Sequence, residues 1–362
     1  MENKSLREPR ERKTGGEFMK NKKAVGFFVV LMATSLIILS WAPQSSQAAQ
    51  KVFRWRVQHF LPGTHPTYQA FVEWCNDVKV ASGGRLAIKS FPIGTVVPAM
   101  EQWEAVSKGV LEMGFSYGAF WGGKTPVAGF SVGIPFTLRD VQDHYVLQRM
   151  GLEDLIREAY AKHNIYYLRQ NPCLGTVMSS KKPVTSVADI KGLKIRAVGM
   201  IGQMLAQAGA AVITVPGPEI YGALEKGIID AAVYGPLASQ FEMGFHEVTN
   251  YIVMPPLAIE ADEMIINMDA WNALPDDLKK LLYLSAADHT VVIGDLYRRD
   301  SEKALNACLK KGLKVSEISQ EDRAKLTQIG WKVVEKYAAE NPTFAKATEI
   351  MKDYLELTGI KK

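Results

Sequence analysis

The fold is decided by the stretch DIKGLKIRAVGMIGQMLAQAGAAVITVPGPEIYGALEKGIIDAAVYGP, residues 189–236. Three segments rich in β-forming residues alternate here with two segments whose apolar residues repeat at helical spacing. The segments are 194–198, 200–208, 210–215, 218–226 and 228–233. This β-α-β-α-β order predicts parallel strands joined by right-handed crossovers. The unbroken apolar run at 210–215 predicts a strand buried on both faces of the sheet.

Arg196 is out of keeping with the first of these strands. It follows Ile195 in a buried-strand pattern, where an unpaired guanidinium would be costly. Ligands of open α/β sheets collect at the carboxyl ends of the strands, and Arg196 lies close to such an end. Its planar fork of donors suits bidentate binding of a carboxylate. The alternative is an arginine on an edge strand that pairs with a surface acid.

Two blocks of sequence carry a resemblance to a known family. GLKIRAVG with VPGPEIYGALEKGIIDAA, and SGGRLAIKSFP with VVPAMEQWEAVSKGVLEMG and FWGGK, resemble the DctP-type solute receptors of tripartite ATP-independent periplasmic (TRAP) transporters. Within the first block, the run VPGPEIYGALEKGIIDAA most resembles the branch of this family that binds 2-oxo and related monocarboxylic acids. In that family the arginine of the LK-x-R strand binds the substrate's carboxylate, and Arg196 matches it.

The resemblance implies an α/β, two-lobed periplasmic solute-binding fold with mainly parallel sheets and a hinged cleft. The expected first lobe is 51–171 plus about 262–301, and the second is 172–261 plus about 302–350. Strand crossings near Asn171 and residues 260–262 would act as hinges that close the lobes over the ligand. Gln170 and Asn171 are therefore candidate ligand contacts.

Three further candidates follow predicted strands of the first lobe. The resemblance implies that aromatic residues after the strand at 113–116 enclose the substrate, and Tyr117 and Trp121 are the candidates. The alternative for both is ordinary packing in the core. His59, at the end of the first predicted strand, is a weaker candidate, since a lone histidine is more often a capping or surface group.

The segment after the third strand bears on metal binding. Receptors of the 2-oxo-acid branch typically have an acid and a tryptophan there, which help to hold a cation beside the substrate. Val233 stands where that carboxylate would be, and Tyr234 replaces the tryptophan. We therefore predict a site with no metal and no cofactor, in which Tyr234 contacts the ligand. Glu260 or Asp262 could substitute for the missing acid, so this alternative stays open.

Residues 1–48 predict an export signal rather than part of the fold. A basic segment at 19–23, an apolar run at 24–42 and Ser46-Gln47-Ala48 fit a cleaved signal peptide, which predicts a periplasmic protein. The alternative is an uncleaved membrane anchor, because the run is close to the ~20 residues needed to span a bilayer. Met1 and Met19 are both possible initiators.

The charge balance argues against a nucleic-acid-binding protein, and the cysteine spacing argues against a zinc site. The chain has 43 Lys and Arg against 38 Asp and Glu, but residues 1–48 hold eight and four of these, which leaves 35 and 34. The expected mature chain is thus nearly neutral and lacks the basic footprint of a nucleic-acid-binding protein. The three cysteines, Cys75, Cys173 and Cys308, form no CxxC motif, so zinc is unsupported. We expect three buried thiols, although one disulfide is possible.

Two other function classes are alternatives to a transport receptor. Residues 129–133 match the G-x-S-x-G motif of serine hydrolases around Ser131, and His289 and Asp269 could complete a triad. That motif needs a strand before the serine and a helix after it, and the flanking prolines argue against both. A periplasmic sensing domain with the same fold is the second alternative. We predict a non-enzymatic receptor whose partners are a small carboxylate and TRAP membrane permease subunits, as a monomer or possible homodimer.

Overall fold

The computed structural model describes residues 51–360, except the side chains of Val132 and Leu174. The predicted leader, residues 1–48, lies outside the described residues. No helix of the described part of the chain is long and apolar enough to cross a membrane. The chain from Val52 onwards packs as one unit, so the division into two lobes stays a prediction.

Nine strands and thirteen α-helices make up the described chain. The strands are β1 (Phe53–His59), β2 (Leu86–Phe91), β3 (Met113–Ser116), β4 (Ile165–Ser180), β5 (Lys194–Arg196), β6 (Ala211–Ile213), β7 (Ala231–Val233), β8 (Tyr251–Asn267) and β9 (Lys314–Glu317). The helices are α1 (Pro66–Ala81), α2 (Gln102–Ser107), α3 (Val141–Leu147), α4 (Glu153–Ala161), α5 (Val187–Ile190), α6 (Gly199–Gln207), α7 (Ile220–Glu225), α8 (Leu237–Glu242), α9 (Phe245–Val248), α10 (Met268–Asn272), α11 (Asp276–Lys310), α12 (Gln320–Glu340) and α13 (Pro342–Thr358).

All nine strands belong to one mixed sheet. Its order is β2-β1-β3-β8-β4-β7-β5-β6, and β9 pairs with β8. The pairs β1–β2, β1–β3, β5–β6, β5–β7 and β8–β9 are parallel, whereas β3–β8, β4–β8 and β4–β7 are antiparallel. Apart from β8–β9, the parallel pairs lie in the two outer parts of the sheet. The long strands β4 and β8 run antiparallel through its middle and join these parts.

The β-α-β-α-β unit is confirmed, with β5, α6, β6, α7 and β7 in the predicted order and the strands parallel. The prediction that 210–215 forms a strand buried on both faces is wrong. β6 is the outermost strand, Ala211 is exposed, and Val212 and Ile213 are only partly buried. A strand at the end of the sheet has a hydrogen-bonded neighbour on one side only, and its apolar run is left partly open to solvent.

The apolar cores follow this architecture. One core joins α1 and β1 to the start of α11, and another lies around β5, α6 and β7. A third packs Trp331 and Phe344 of the C-terminal helices against Trp103 and Tyr160, which the sequence predicts in the first lobe. The C-terminal helices therefore pack against the predicted first lobe, and Leu326 of α12 also joins the core around β5 in the predicted second lobe. All three cysteines are buried and free, as expected.

Candidate functional site

Arg196 is the last residue of β5 and lies inside the sheet. β5 is flanked by β7 and β6, so Arg196 is not on an edge strand. Only 6% of its surface is exposed. No carboxylate among residues 51–360 forms an ion pair with it, and burial, the largest effect, lowers the pKa of its guanidinium. The alternative of a surface ion pair is therefore wrong.

Two backbone oxygens orient the guanidinium of Arg196. Nε donates to the oxygen of Val215 over 3.0 Å, and Nη1 donates to the oxygen of Val233 over 2.9 Å. A guanidinium has five N–H donors, so three remain, one on Nη1 and two on Nη2. Nη1 and Nη2 form the end of the fork. Nη2 makes no bond to described residues and Nη1 keeps one N–H free, so this end can still donate to the two oxygens of a carboxylate.

The ring of Tyr234 stacks near this cation. Its centre lies 5.5 Å from the guanidinium carbon of Arg196, which is within cation–π range. The backbone of Tyr234 is held on both sides, because its N–H donates to Val177 over 3.3 Å and its oxygen accepts from Nε2 of Gln240 over 2.6 Å. Burial raises the pKa of the Tyr234 hydroxyl, and Arg196 counters part of this rise.

Tyr117 and Glu260 also lie near Arg196, although they come from other strands of the sheet. Tyr117 follows β3, and Glu260 lies in β8. Because β3 pairs with β8, the chain after β3 arrives beside Glu260. Burial raises the pKa of Tyr117 well above its usual value, and the next largest cause is the carboxyl of Glu260. Arg196 in turn acts on Glu260 and lowers its pKa against the effect of burial. Tyr117 also packs in the core around β5.

Asn171 lies in the middle of β4, directly opposite Asp262 of β8. Its Oδ1 accepts a hydrogen bond from the hydroxyl of Thr290 over 2.9 Å, while its Nδ2 has no partner among the described residues. Asp262 is also buried, and Tyr234 lies within electrostatic reach of it. Arg196, Tyr234, Tyr117 and Glu260 are thus close enough to act on one another, and Asp262, with its register partner Asn171, adjoins them at Tyr234.

The family model for bacterial extracellular solute-binding proteins, family 7 (DctP), matches residues 57–341 of this chain. The chain belongs to this family. Its members are non-enzymatic solute receptors of TRAP transporters.

Three similar proteins show the range of this receptor family. The chain is 27% identical to the monocarboxylate 2-oxoacid-binding periplasmic protein of Nostoc sp., over 93% of this chain and 94% of the relative. It is 26% identical to the ectoine/5-hydroxyectoine-binding periplasmic protein of Ruegeria pomeroyi, over 66% and 71%. A TRAP periplasmic solute-binding protein of Colwellia psychrerythraea, solved with bound calcium and pyruvate, is similar with a TM-score of 0.80, 25% identity and coverage of 85% and 95%.

Trp121 of the receptor lies in the core. It packs against Trp103 with ring centres 5.7 Å apart, and its Nε1 donates to the hydroxyl of Ser116 over 3.4 Å. Ser116 and Tyr160 donate to the two oxygens of Glu263, over 3.1 and 2.8 Å. Because Glu263 and Asp262 are neighbours on β8, their side chains leave opposite faces of the strand. Trp121 is therefore grouped with Glu263 and not with Arg196.

His59 and Gln170 are also buried away from this group. Nδ1 of His59 accepts from the backbone N–H of Leu61 over 3.0 Å, and its ring stacks 4.3 Å from that of Phe115. Burial lowers the pKa of His59 well below its usual value. Gln170 accepts a hydrogen bond from Gln148. As ligand contacts, Trp121, His59 and Gln170 stay predictions that no contact among the described residues supports.

The hydrolase alternative is wrong. Pro126–Val132 is a 3-10 helix, so no strand leads into Ser131 and the serine is not on a strand-to-helix turn. Its hydroxyl is buried and donates to the backbone oxygen of Ala128 over 2.8 Å. His289 packs against Trp74, with ring centres 5.7 Å apart. The motif is a coincidence of small residues.

The donor set for a metal ion is poor. Among residues 51–360, no group of three or more His, Cys, Asp or Glu side chains is arranged to hold a metal. Val233, which the resemblance places at the position of a metal-binding acid, presents its backbone oxygen to Arg196 and has an apolar side chain. A hard cation such as Ca²⁺ takes 6–8 oxygen ligands. Glu260 and Asp262, the acids that could substitute for an acid at Val233, act on Tyr234 of this site, so a site without metal stays a prediction.

Proposed function

We propose that this receptor captures a small monocarboxylate in the periplasm and delivers it to TRAP membrane permease subunits. The single observation that carries the proposal is the buried guanidinium of Arg196, which keeps three N–H donors without a bond to the described residues. Backbone oxygens of Val215 and Val233 hold that guanidinium in place. A carboxylate that binds there therefore meets donors that are already oriented, which reduces the entropy lost on binding.

The cleft closes between the two predicted lobes. β4 and β8 cross from one outer part of the sheet to the other, with register irregularities between Pro172 and Gly175. His65, in the predicted first lobe, contacts the hydroxyl of Ser239 in the second over 3.2 Å. Such a contact supports a closed arrangement in which water is excluded from Arg196. Exclusion of water strengthens the attraction between the guanidinium and a carboxylate.

Periplasmic location and permease docking follow from the predicted signal peptide and from family membership. The relatives in Nostoc and Ruegeria are periplasmic binding proteins by name. We propose the same compartment for this receptor, after cleavage near Ala48. The solutes in the relatives' names also support a small organic acid as the class of ligand, which a carboxylate site at Arg196 requires.

Matched acids and amides test the proposal. Isothermal titration calorimetry would compare pyruvate with pyruvamide, and other short 2-oxo, 2-hydroxy and 2-amino acids with their amides. A charge-assisted hydrogen bond is worth roughly 1.5–3 kcal/mol, so each acid that binds should bind at least ~10-fold more tightly than its amide. Equal affinity for acid and amide, or no binding by any acid, would refute the proposal.

A further inference from the structure

A histidine at the start of α1 contacts a helix of the predicted second lobe. Nε2 of His65 lies 3.2 Å from the hydroxyl oxygen of Ser239, in α8. The same nitrogen lies 3.5 Å from Oε2 of Glu242, about one turn further along that helix. His65 and Ser239 are both buried, with exposed fractions of 8% and 3%. The contact therefore joins two helices that are far apart in the chain, at a place shielded from water.

The two ring nitrogens of His65 have different tasks. Nδ1 accepts a hydrogen bond from the backbone N–H of Thr67 over 3.2 Å, which caps the start of α1. Burial lowers the pKa of His65 to about 4, so the ring is uncharged at neutral pH. An uncharged ring with Nδ1 as acceptor carries its proton on Nε2. Nε2–H is therefore the donor, and the hydroxyl oxygen of Ser239 is the nearer acceptor.

α8 is tied to the proposed carboxylate site through Gln240. Nε2 of Gln240 donates to the backbone oxygen of Tyr234 over 2.6 Å and to that of Val177 over 2.9 Å. Its Oε1 accepts a hydrogen bond from the hydroxyl of Ser179 over 2.5 Å. The ring of Tyr234 in turn lies 5.5 Å from the guanidinium carbon of Arg196. A contact that fixes α8 therefore also fixes the segment that carries Tyr234.

The bond between His65 and Ser239 depends on closure of the predicted lobes. His65 belongs to the predicted first lobe and Ser239 to the second, so separation of the lobes would break the bond and expose both groups to water. A ligand enclosed between the lobes can leave only when they separate. An interaction that forms on closure therefore slows release of the ligand more than it changes capture.

We propose that His65 is a positioning residue for ligand retention, which holds the start of α1 against α8 through Ser239 while the carboxylate is bound at Arg196. This inference rests on the proposed function, in which the predicted lobes close over that carboxylate. The role requires no contact between His65 and the ligand. Its bond to Ser239 keeps α8 and Tyr234 in place, and loss of the bond lets the ligand escape sooner.

Two substitutions of His65 separate this role from the capping of α1. His65→Asn puts an amide oxygen near the position of Nδ1, so it keeps the cap but is too short to reach Ser239. His65→Gln puts an amide nitrogen near the position of Nε2, so it keeps the donor to Ser239 and loses the cap. The first variant should therefore be impaired in ligand retention, and the second in stability.

Stopped-flow tryptophan fluorescence would measure the rate constants for capture and release. The probe is the acid that binds most tightly in the calorimetric comparison of pyruvate and other short 2-oxo, 2-hydroxy and 2-amino acids. Loss of one neutral hydrogen bond should raise koff roughly three- to tenfold in His65→Asn and leave kon within about twofold. His65→Gln should keep koff within about twofold of the unchanged protein and lower the melting temperature. Ser285→Ala, whose hydroxyl donates within its own helix to Leu282, is the control.

Ser239→Ala removes the same bond from the other side. It should raise koff as much as His65→Asn does, and the double variant should release the ligand no faster than either single variant. This comparison decides the question even if one His65 variant fails to fold.

Three outcomes would overturn the inference. Equal acceleration of release in His65→Asn and His65→Gln would show that the capping of α1 sets the release rate. Unchanged release in both His65→Asn and Ser239→Ala would refute the retention role and leave the proposed function intact. Absence of binding by every one of the acids would refute both proposals.

Discussion

Nη1 of Arg196 donates a hydrogen bond to the backbone oxygen of Val233 over 2.9 Å. The residue at the position where the resemblance places a metal-binding acid thus serves instead to orient the arginine. It does so through its main chain, and its buried side chain contributes only packing. In this receptor the third strand of the β-α-β-α-β unit therefore supports the proposed carboxylate site without supplying a charge to it.

Replacement of Arg196 should abolish ligand binding. Arg196→Ala removes the guanidinium, and Arg196→Lys supplies an ammonium that cannot make two parallel hydrogen bonds to a carboxylate. Loss of such a pair costs on the order of 2–5 kcal/mol, or roughly thirtyfold to several thousandfold in affinity. Calorimetry with the tightest-binding acid measures the loss. Arg54→Ala, on the exposed side of β1, is the control. Near-normal affinity in both Arg196 variants would contradict the assignment.

The ring of Tyr234 should matter more than its hydroxyl. Tyr234→Ala removes the ring that lies 5.5 Å from the Arg196 guanidinium, and we expect a loss of about 0.5–2 kcal/mol in binding free energy. Tyr234→Phe keeps the ring and should bind within about threefold of the unchanged protein, a difference of less than ~1 kcal/mol. The same calorimetric titration measures both. A loss in Tyr234→Phe as large as that in Tyr234→Ala would show that the hydroxyl binds the ligand.

Glu263 should make the protein less stable as pH rises. Burial raises its pKa to about 7, against hydrogen bonds from Tyr160 and Ser116 that lower it. Because the folded state binds this proton more tightly than the unfolded state, the stabilisation is complete below the unfolded pKa of 4.5. It is lost as pH rises through about 7. The effect is at most roughly 3 kcal/mol in the free energy of unfolding.

Glu263→Gln should remove this pH dependence. Urea denaturation at pH 5 and pH 8 would compare the free energies of unfolding of the variant and the unchanged protein. The variant should gain stability relative to the unchanged protein between pH 5 and pH 8, because it has no charge to bury at the higher pH. Glu302→Gln, at an exposed position of α11, is the matched control. A constant difference between the two pH values would contradict the prediction.

The mature protein should begin at Ala49 or within a residue or two of it. The basic, apolar and small-residue segments of 19–48 are those that a signal peptidase recognises. Edman sequencing or intact-mass spectrometry of protein from the periplasmic fraction measures the start. Intact Met19, or retention in the membrane fraction after salt washing, would show that the segment is an anchor.

Local sequence determined the β-α-β-α-β unit and the position of Arg196. Helical and strand periodicities are set by residues two to four positions apart, so they can be read without knowledge of the fold. A charged residue inside an apolar strand is likewise visible in the local sequence, and it marked Arg196 as a candidate binding residue. Tyr234 became a candidate through the resemblance, which puts it at the position of the family's tryptophan. These are the parts of the site that one continuous stretch of the chain builds.

Only the tertiary structure decided which side chains share a space. Asn171 meets Asp262 because β4 pairs with β8, and Trp121 joins Glu263 in the core because β3 pairs with the opposite edge of β8. β6 lies at the end of the sheet, with Ala211 exposed and Val212 and Ile213 partly buried. Strand order, register and face depend on packing between segments far apart in the chain, and a shift of one residue turns every side chain to the other face. The periodicity of a single segment therefore cannot predict strand order, register or face.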